Sequence, residues 1–210
     1  MKTIFIDAGH GGINPTTGKY TTPGKGFFHT GQVFHDGGHF YEGVFNRQMA
    51  KRITAYLKEA LVPVLPVSHK WQDTTLDTRI NLANRHHQQI NPGIYVSLHA
   101  NAAQADRAGK ARGFEIFTSI GKTVSDLIAE DIYLAIAKAF PEKRMRSDTR
   151  DGDHDKEANF RVLKRTNMPA VLLEFGFFDN LEDAKMLNSI DYQDKMARVV
   201  AAVLIEWAKK

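Results

Sequence analysis

The chain has 210 residues, 42% of them hydrophobic and 25% charged, with a formal net charge of +4 and no cysteine. That length supports one substantial domain and is tight for two. The missing thiols exclude disulfides, thiolate metal sites and cysteine nucleophiles.

The elements follow in chain order. "TIFIDAG" is a short apolar run closed by glycine and reads as a buried first strand, too short for a signal-peptide core or a membrane span. Residues 13–40 are rich in Gly, Thr, Pro and His and read as a loop. From Glu42 to Leu61 the period becomes helical, with Phe45, Met49, Ile53 and Leu57 on one face. "VPVLPVS" predicts a second strand, at an edge because of its two prolines. "TLDTRINLANRHHQQI" predicts a helix capped by Thr74 or Thr75 and stopped by "NPG". "GIYVSLHAN" and "GFEIFTS" read as strands, and "KTVSDLIAEDIYLAIAKAF" as an amphipathic helix ended by Pro141. The charged stretch at 141–160 predicts a mobile surface loop, and "MPAVLLEFGF" a strongly apolar strand. A last helix from about Asp191 sets Met196, Val199, Val200, Val203, Leu204 and Trp207 at helical spacing, so it docks on the body. Alternating strands and helices predict a three-layer α/β sandwich with a mostly parallel central sheet flanked by helices.

In such folds active sites collect at the carboxyl ends of the strands. There the chain sets His10 after the first run, His99 in "YVSLHAN" and Glu174 in "AVLLEFGF". Singly, each reads best as a satisfied polar residue; three at equivalent strand ends suggest a metal site. Imidazole and carboxylate without thiolate suit a catalytic Zn²⁺ with three protein ligands and an open position. Two histidines leave a third ligand to be found, and "VFHDGGHFYEG" offers His35, His39 and Glu42. A further group, near the metal and unbound, would take a proton from water.

In order along the chain, "IDAGHGG", "EGVFN", "LDTRINLANRHH", "VSLHANA", "GFEIFTS" and "VLKRTNMPAVLLEFGFFDNLED" resemble the zinc-dependent N-acetylmuramoyl-L-alanine amidases of the Amidase_3 family. The resemblance spans nearly the whole chain. It implies that His10, Glu42 and His99 hold one zinc per chain and that Glu174 is the catalytic carboxylate. It also implies hydrolysis of the amide between N-acetylmuramic acid and L-alanine in peptidoglycan. The connection between the first histidine and the glutamate is longer than the family's, and the added loop should lie beside the metal, either touching substrate or packing over the sheet edge. The spacing of His35 and His39 would put both on one face of a helix, but Gly37 and Gly38 between them disfavour one. A helix starting near Glu42 sets that carboxylate in its first turn, where the dipole favours it; His39 is the better substitute.

The remaining expectations are a single catalytic domain over 1–210 without a separate wall-binding domain, a monomer, peptidoglycan as partner, and neither nucleic acid nor membrane insertion. With no signal peptide, the chain reads as a phage endolysin, made in the cytoplasm and acting on the wall after release. A bacterial wall-remodelling amidase, a metal hydrolase of free peptides and an inactive wall-binding or regulatory domain are the alternatives. Three other motifs fail. "GKT" at 121–123 has Ile116 where a phosphate loop needs glycine. "DGDHD" at 151–155 lacks the glycine and glutamate of a calcium loop, and Ser97 has no glycine elbow.

Overall fold

The computed structural model describes every residue except 105, 107 and 151. Its centre is a six-stranded sheet in the order β4-β1-β5-β8-β6-β7. These strands are β1 (Thr3–Ala8), β4 (Val64–Pro66), β5 (Gly93–Asn101), β6 (Glu115–Thr118), β7 (Lys156–Glu157) and β8 (Ala170–Phe177). β4, β1, β5 and β8 run parallel, and β6 lies antiparallel to β8 with β7 beside it. β4 is an edge strand, as its prolines predict.

Alternation along the strands divides the core. Ile4, Ile6, Ile94, Val96, Val171 and Leu173 face a large helical layer of α1 (Glu42–Glu59), α3 (Val124–Ala139), α5 (Leu181–Asn188) and α6 (Ile190–Lys209). Phe5, Tyr95, Ala170 and Leu172 face a thinner layer of α2 (Leu76–Gln89) and the short α4 (Arg161–Lys164). The result is the three-layer sandwich that the sequence predicts. α2 is capped by the Thr75 hydroxyl, which accepts from the Thr78 amide at 3.3 Å, and α3 starts with a capping box of Thr123 and Asp126. No helix among the described residues is long and apolar enough to cross a membrane.

Two stretches are more ordered than their composition suggests. Residues 13–40 contain a hairpin of β2 (Gly26–Phe28) and β3 (His39–Tyr41). Phe40 is fully buried, its ring centroid 6.0 Å from that of Phe45 and 6.2 Å from that of Phe178. His29 Nε2 lies 2.9 Å from the Phe178 carbonyl oxygen. Of the two roles open to this loop, packing onto the core is plain in the structure. The stretch at 141–160, expected to be mobile, buries Lys143 and Asp155 and supplies β7. The Thr118 hydroxyl donates to Asp155 Oδ2 at 2.5 Å. A two-residue strand is too short for its alternation to register in sequence. The rejected calcium-loop motif opens at Asp151, which lies outside the described residues.

One buried ion pair ties α2 to the sheet below the site. Arg79 donates through Nη1 to Asp7 Oδ1 at 2.9 Å, and the Ser97 hydroxyl donates to Asp7 Oδ2 at 2.9 Å. Both charged side chains are almost wholly buried. Removing the cation leaves a carboxylate in the interior, so Arg79→Met is expected to lose about 3–5 kcal/mol of stability. Urea unfolding checks this; an unchanged midpoint would mean that the pair contributes nothing.

Candidate active site

The site lies at the carboxyl ends of β1, β5 and β8, on the sheet face shared with α2 and α4. His99 and Glu174 are register partners on adjacent strands, and Glu115 pairs with Glu174 from β6. One rung of the sheet therefore carries three ionisable groups on one face. His10 comes two residues beyond β1 and has φ of 60°, in the left-handed region that non-glycine residues seldom occupy. Its turn is gripped from behind: Arg47 donates through Nη2 to the His10 carbonyl at 2.7 Å, and Asn46 donates through Nδ2 to the Gly9 carbonyl at 3.1 Å.

Glu42 opens α1 and reaches both histidines. Its Oε2 is 3.3 Å from His10 Nε2, and its Oε1 is 2.9 Å from His99 Nδ1. This approach depends on two glycines. A β-carbon on Gly43 would sit 1.8 Å from the Gly11 carbonyl oxygen, so only glycine lets the first turn of α1 lie against the His10 loop. A β-carbon on Gly9 would sit 2.1 Å from His99 Cε1, so the imidazole occupies space that only glycine leaves.

His10, Glu42 and His99 offer ligand atoms that all lie within 4.8 Å of one another. Ligands about 2.1 Å from a tetrahedral zinc stand ~3.4 Å apart, close to the two contacts just given. Among the described residues this is the group of histidines and acidic residues able to share an ion. His35 and His39 take other partners. His35 Nδ1 accepts from the Tyr41 amide at 2.8 Å, and burial pushes that imidazole down to about 4. His39 packs against Phe28, with ring centroids 4.8 Å apart.

The charges are set against burial. Burial pushes the Glu42 carboxyl up, but hydrogen bonding to His10 and His99 outweighs it and holds the group at about 2. Burial pushes the His99 imidazole down, and Glu42 reverses this to a net rise. A buried carboxylate facing two imidazole nitrogens suits a cation held between them. Glu174 is the opposite case. Its Oε2 is sealed from solvent with no hydrogen-bond partner, and burial drives its carboxyl up to about 8, against the pull of His99. Neighbouring Glu115 is compensated instead, by ion pairs to Arg146 and to Lys156 Nζ at 2.8 Å. Glu174 is the uncompensated acid of the rung.

Both acids and both histidines line a cavity of about 300 Å³, walled further by Lys25, Leu76, Asn101, Phe160 and Arg161. A family model described as N-acetylmuramoyl-L-alanine amidase, Amidase_3, matches residues 4–206. The chain belongs to this family. It is 30% identical to the N-acetylmuramoyl-L-alanine amidase CwlM of Bacillus licheniformis over 94% of this chain and 65% of that protein. It is also 30% identical to LytC, an N-acetylmuramoyl-L-alanine amidase of Bacillus subtilis, over 95% of this chain and 34% of the other. It thus spans about two thirds and one third of these two relatives. Among solved structures, the N-acetylmuramoyl-L-alanine amidase AmiC2 of Nostoc punctiforme superposes with a TM-score of 0.76 at 23% identity, covering 100% of this chain and 98% of that one; the likeness establishes the same fold.

Sequence reasoning missed Arg47 and Lys25. Arg47 looks like any surface cation of an amphipathic helix, yet its guanidinium also bonds the carbonyls of Gly43 at 3.0 Å and His69 at 3.0 Å. Lys25 sits in the long loop, where no periodicity marks it. Arg79 and Asn84, both within the stretch "LDTRINLANRHH", are packing residues: Arg79 is committed to Asp7. Asn84 Nδ2 donates to the Arg165 carbonyl at 2.9 Å.

Proposed function

We propose that this chain is a zinc-dependent N-acetylmuramoyl-L-alanine amidase, with one zinc held by His10, Glu42 and His99 and with Glu174 as its catalytic acid and base. The observation that carries this reading is Glu174 Oε2, a buried carboxyl oxygen without a partner, in the same cavity as a three-ligand cluster. The donor set of two imidazole nitrogens and a carboxylate fits zinc and leaves a coordination position open. A zinc ion held there would supply Lewis-acid polarisation of the carbonyl and activation of water as a nucleophile.

The chain's own part is proton handling. Glu174 accepts a proton as the water oxygen bonds to the lactyl carbonyl carbon, from its place in the cavity beside the three-ligand cluster. As the carbon–nitrogen bond breaks, the same carboxyl returns the proton to the departing amine of L-alanine. Glu174 ends the cycle as it began. Asn46 and Arg47 hold the His10 turn while this occurs.

Mass spectrometry of digested wall fragments tests the reaction. New fragments with amino-terminal alanine are expected; a new end inside the peptide would replace this reading with a peptidase. For the biological role we propose wall lysis of the endolysin kind. CwlM and LytC are proteins of bacteria, which fits the wall-remodelling alternative, and the gene's neighbours distinguish the two: a holin gene supports lysis.

A further inference from the structure

One cation on the cavity wall has no task in the reaction just described. Two basic side chains line the cavity, Lys25 and Arg161. Arg161 is already committed, donating through Nε and Nη2 to the two carboxylate oxygens of Asp77 at 2.8 Å each. Among the described residues, Lys25 has no ion-pair partner.

Its backbone is nevertheless held firmly. The Lys25 carbonyl accepts from the Glu42 amide at 3.0 Å and from the Tyr20 hydroxyl at 3.1 Å. Tyr20 Oη in turn accepts from the Gly43 amide at 2.9 Å, and its ring stacks on Tyr41 with centroids 4.3 Å apart. The hairpin that begins one residue later is pinned by Phe40 in the core. Lys25 is therefore fixed at the root of the helix that carries Glu42, while its exposed side chain is free to meet a ligand. Its positive charge already acts on Glu174, drawing that carboxyl down against burial. An unpaired ammonium at the wall of a half-enclosed cavity favours an anionic group of the substrate, because enclosure reduces the screening that weakens such pairs on open surfaces.

On the peptide side of the cleaved bond, alanine is followed by glutamate, whose α-carboxylate is free in some walls and amidated in others. We infer that Lys25 is a specificity-determining residue that holds this free carboxylate, so that the chain prefers stems with glutamate to stems with its amide. The inference rests on the amidase reading above and names the substrate class within it.

The test compares two muramoyl dipeptides, L-alanyl-D-glutamate and L-alanyl-D-isoglutamine, as substrates of the zinc-loaded protein. The wild-type kcat/KM should favour the acid by about 5–10-fold, the usual net worth of one hydrogen bond, since the exposed lysine forfeits part of its charge advantage to solvent. Lys25→Met should erase the preference and Lys25→Arg should keep it, both with normal zinc content. A preference that survives in Lys25→Met overturns the inference, as does a wild-type protein that does not discriminate. An equal fall on both substrates in Lys25→Met also overturns it, since the charge would then serve the reacting centre. Calorimetric binding of both dipeptides to Glu174→Gln, with and without Lys25→Met, separates this subsite from the chemistry. Should the wild type cleave neither substrate while acid-selective binding still depends on Lys25, the amidase reading fails and the carboxylate subsite stands.

Discussion

Replacing Glu174 with glutamine is expected to leave one zinc per chain and to slow peptidoglycan hydrolysis by about 10²–10⁴-fold, the usual worth of a positioned general acid and base. The amide matches the carboxyl in size but can neither take the proton of water nor return it to the amine. Zinc content by elemental analysis should not change, because Glu174 is not in the ligand cluster. Normal dye release from labelled wall by Glu174→Gln would remove this residue from the mechanism.

The same substitution has a pH signature in the metal-free protein. Burial holds the folded Glu174 carboxyl at about 8, above its ordinary 4.5. Between those values the folded chain keeps a proton that the unfolded chain has released. The stability tied to this group is therefore full below about pH 4.5 and falls as pH rises towards 8. Glutamine has no such dependence. Metal-free Glu174→Gln should gain on the wild type steadily across that window, by at most about 1.4 kcal/mol per pH unit. Chemical unfolding at several pH values reads the difference; a constant difference would mean that Glu174 ionises normally in the fold.

Gly9→Ala is the second large effect. The added methyl would sit 2.1 Å from His99 Cε1 and 2.4 Å from His99 Nε2, far inside contact distance. Backbone cannot yield easily there, because the Gly9 amide donates to the Leu98 carbonyl at 3.1 Å and its carbonyl accepts from Asn46. The imidazole must move instead, which disturbs its 2.9 Å contact with Glu42. Zinc binding should weaken by about 100-fold or more, beyond the loss of a group that merely orients a ligand, and activity should fall with it. Chelator competition measures the affinity and circular dichroism checks the fold. Gly24→Ala is the control, since a β-carbon there meets nothing within 4 Å. Equal zinc affinity in the two variants would show that His99 does not depend on this close approach.

The strands and long helices were legible because their patterns are long. α1, α3 and α6 each bury one face, and β1, β5 and β8 are nearly continuous apolar runs. His10, His99 and Glu174 stand out in sequence because each follows such a run. The hairpin of β2 and β3 and the two-residue β7 were not legible. Each strand there has three residues or fewer and, unlike β4, lies in no aliphatic run, so long-range packing of Phe40 and Asp155 decides their structure rather than local pattern.

Local order along the chain thus settled the layers, the parallel sheet and which residues stand at strand ends, since burial periodicity is a property of neighbouring residues. Choosing among His35, His39 and Glu42 was different. Proximity to His10 and His99 depends on contacts across 57 residues and on the space left at Gly9 and Gly43. The charge states follow the same division. Glu42 and Glu174 are the same residue type, yet one is held near 2 and the other near 8, because only the folded chain gives the first two imidazole partners and leaves one buried oxygen of the second without any.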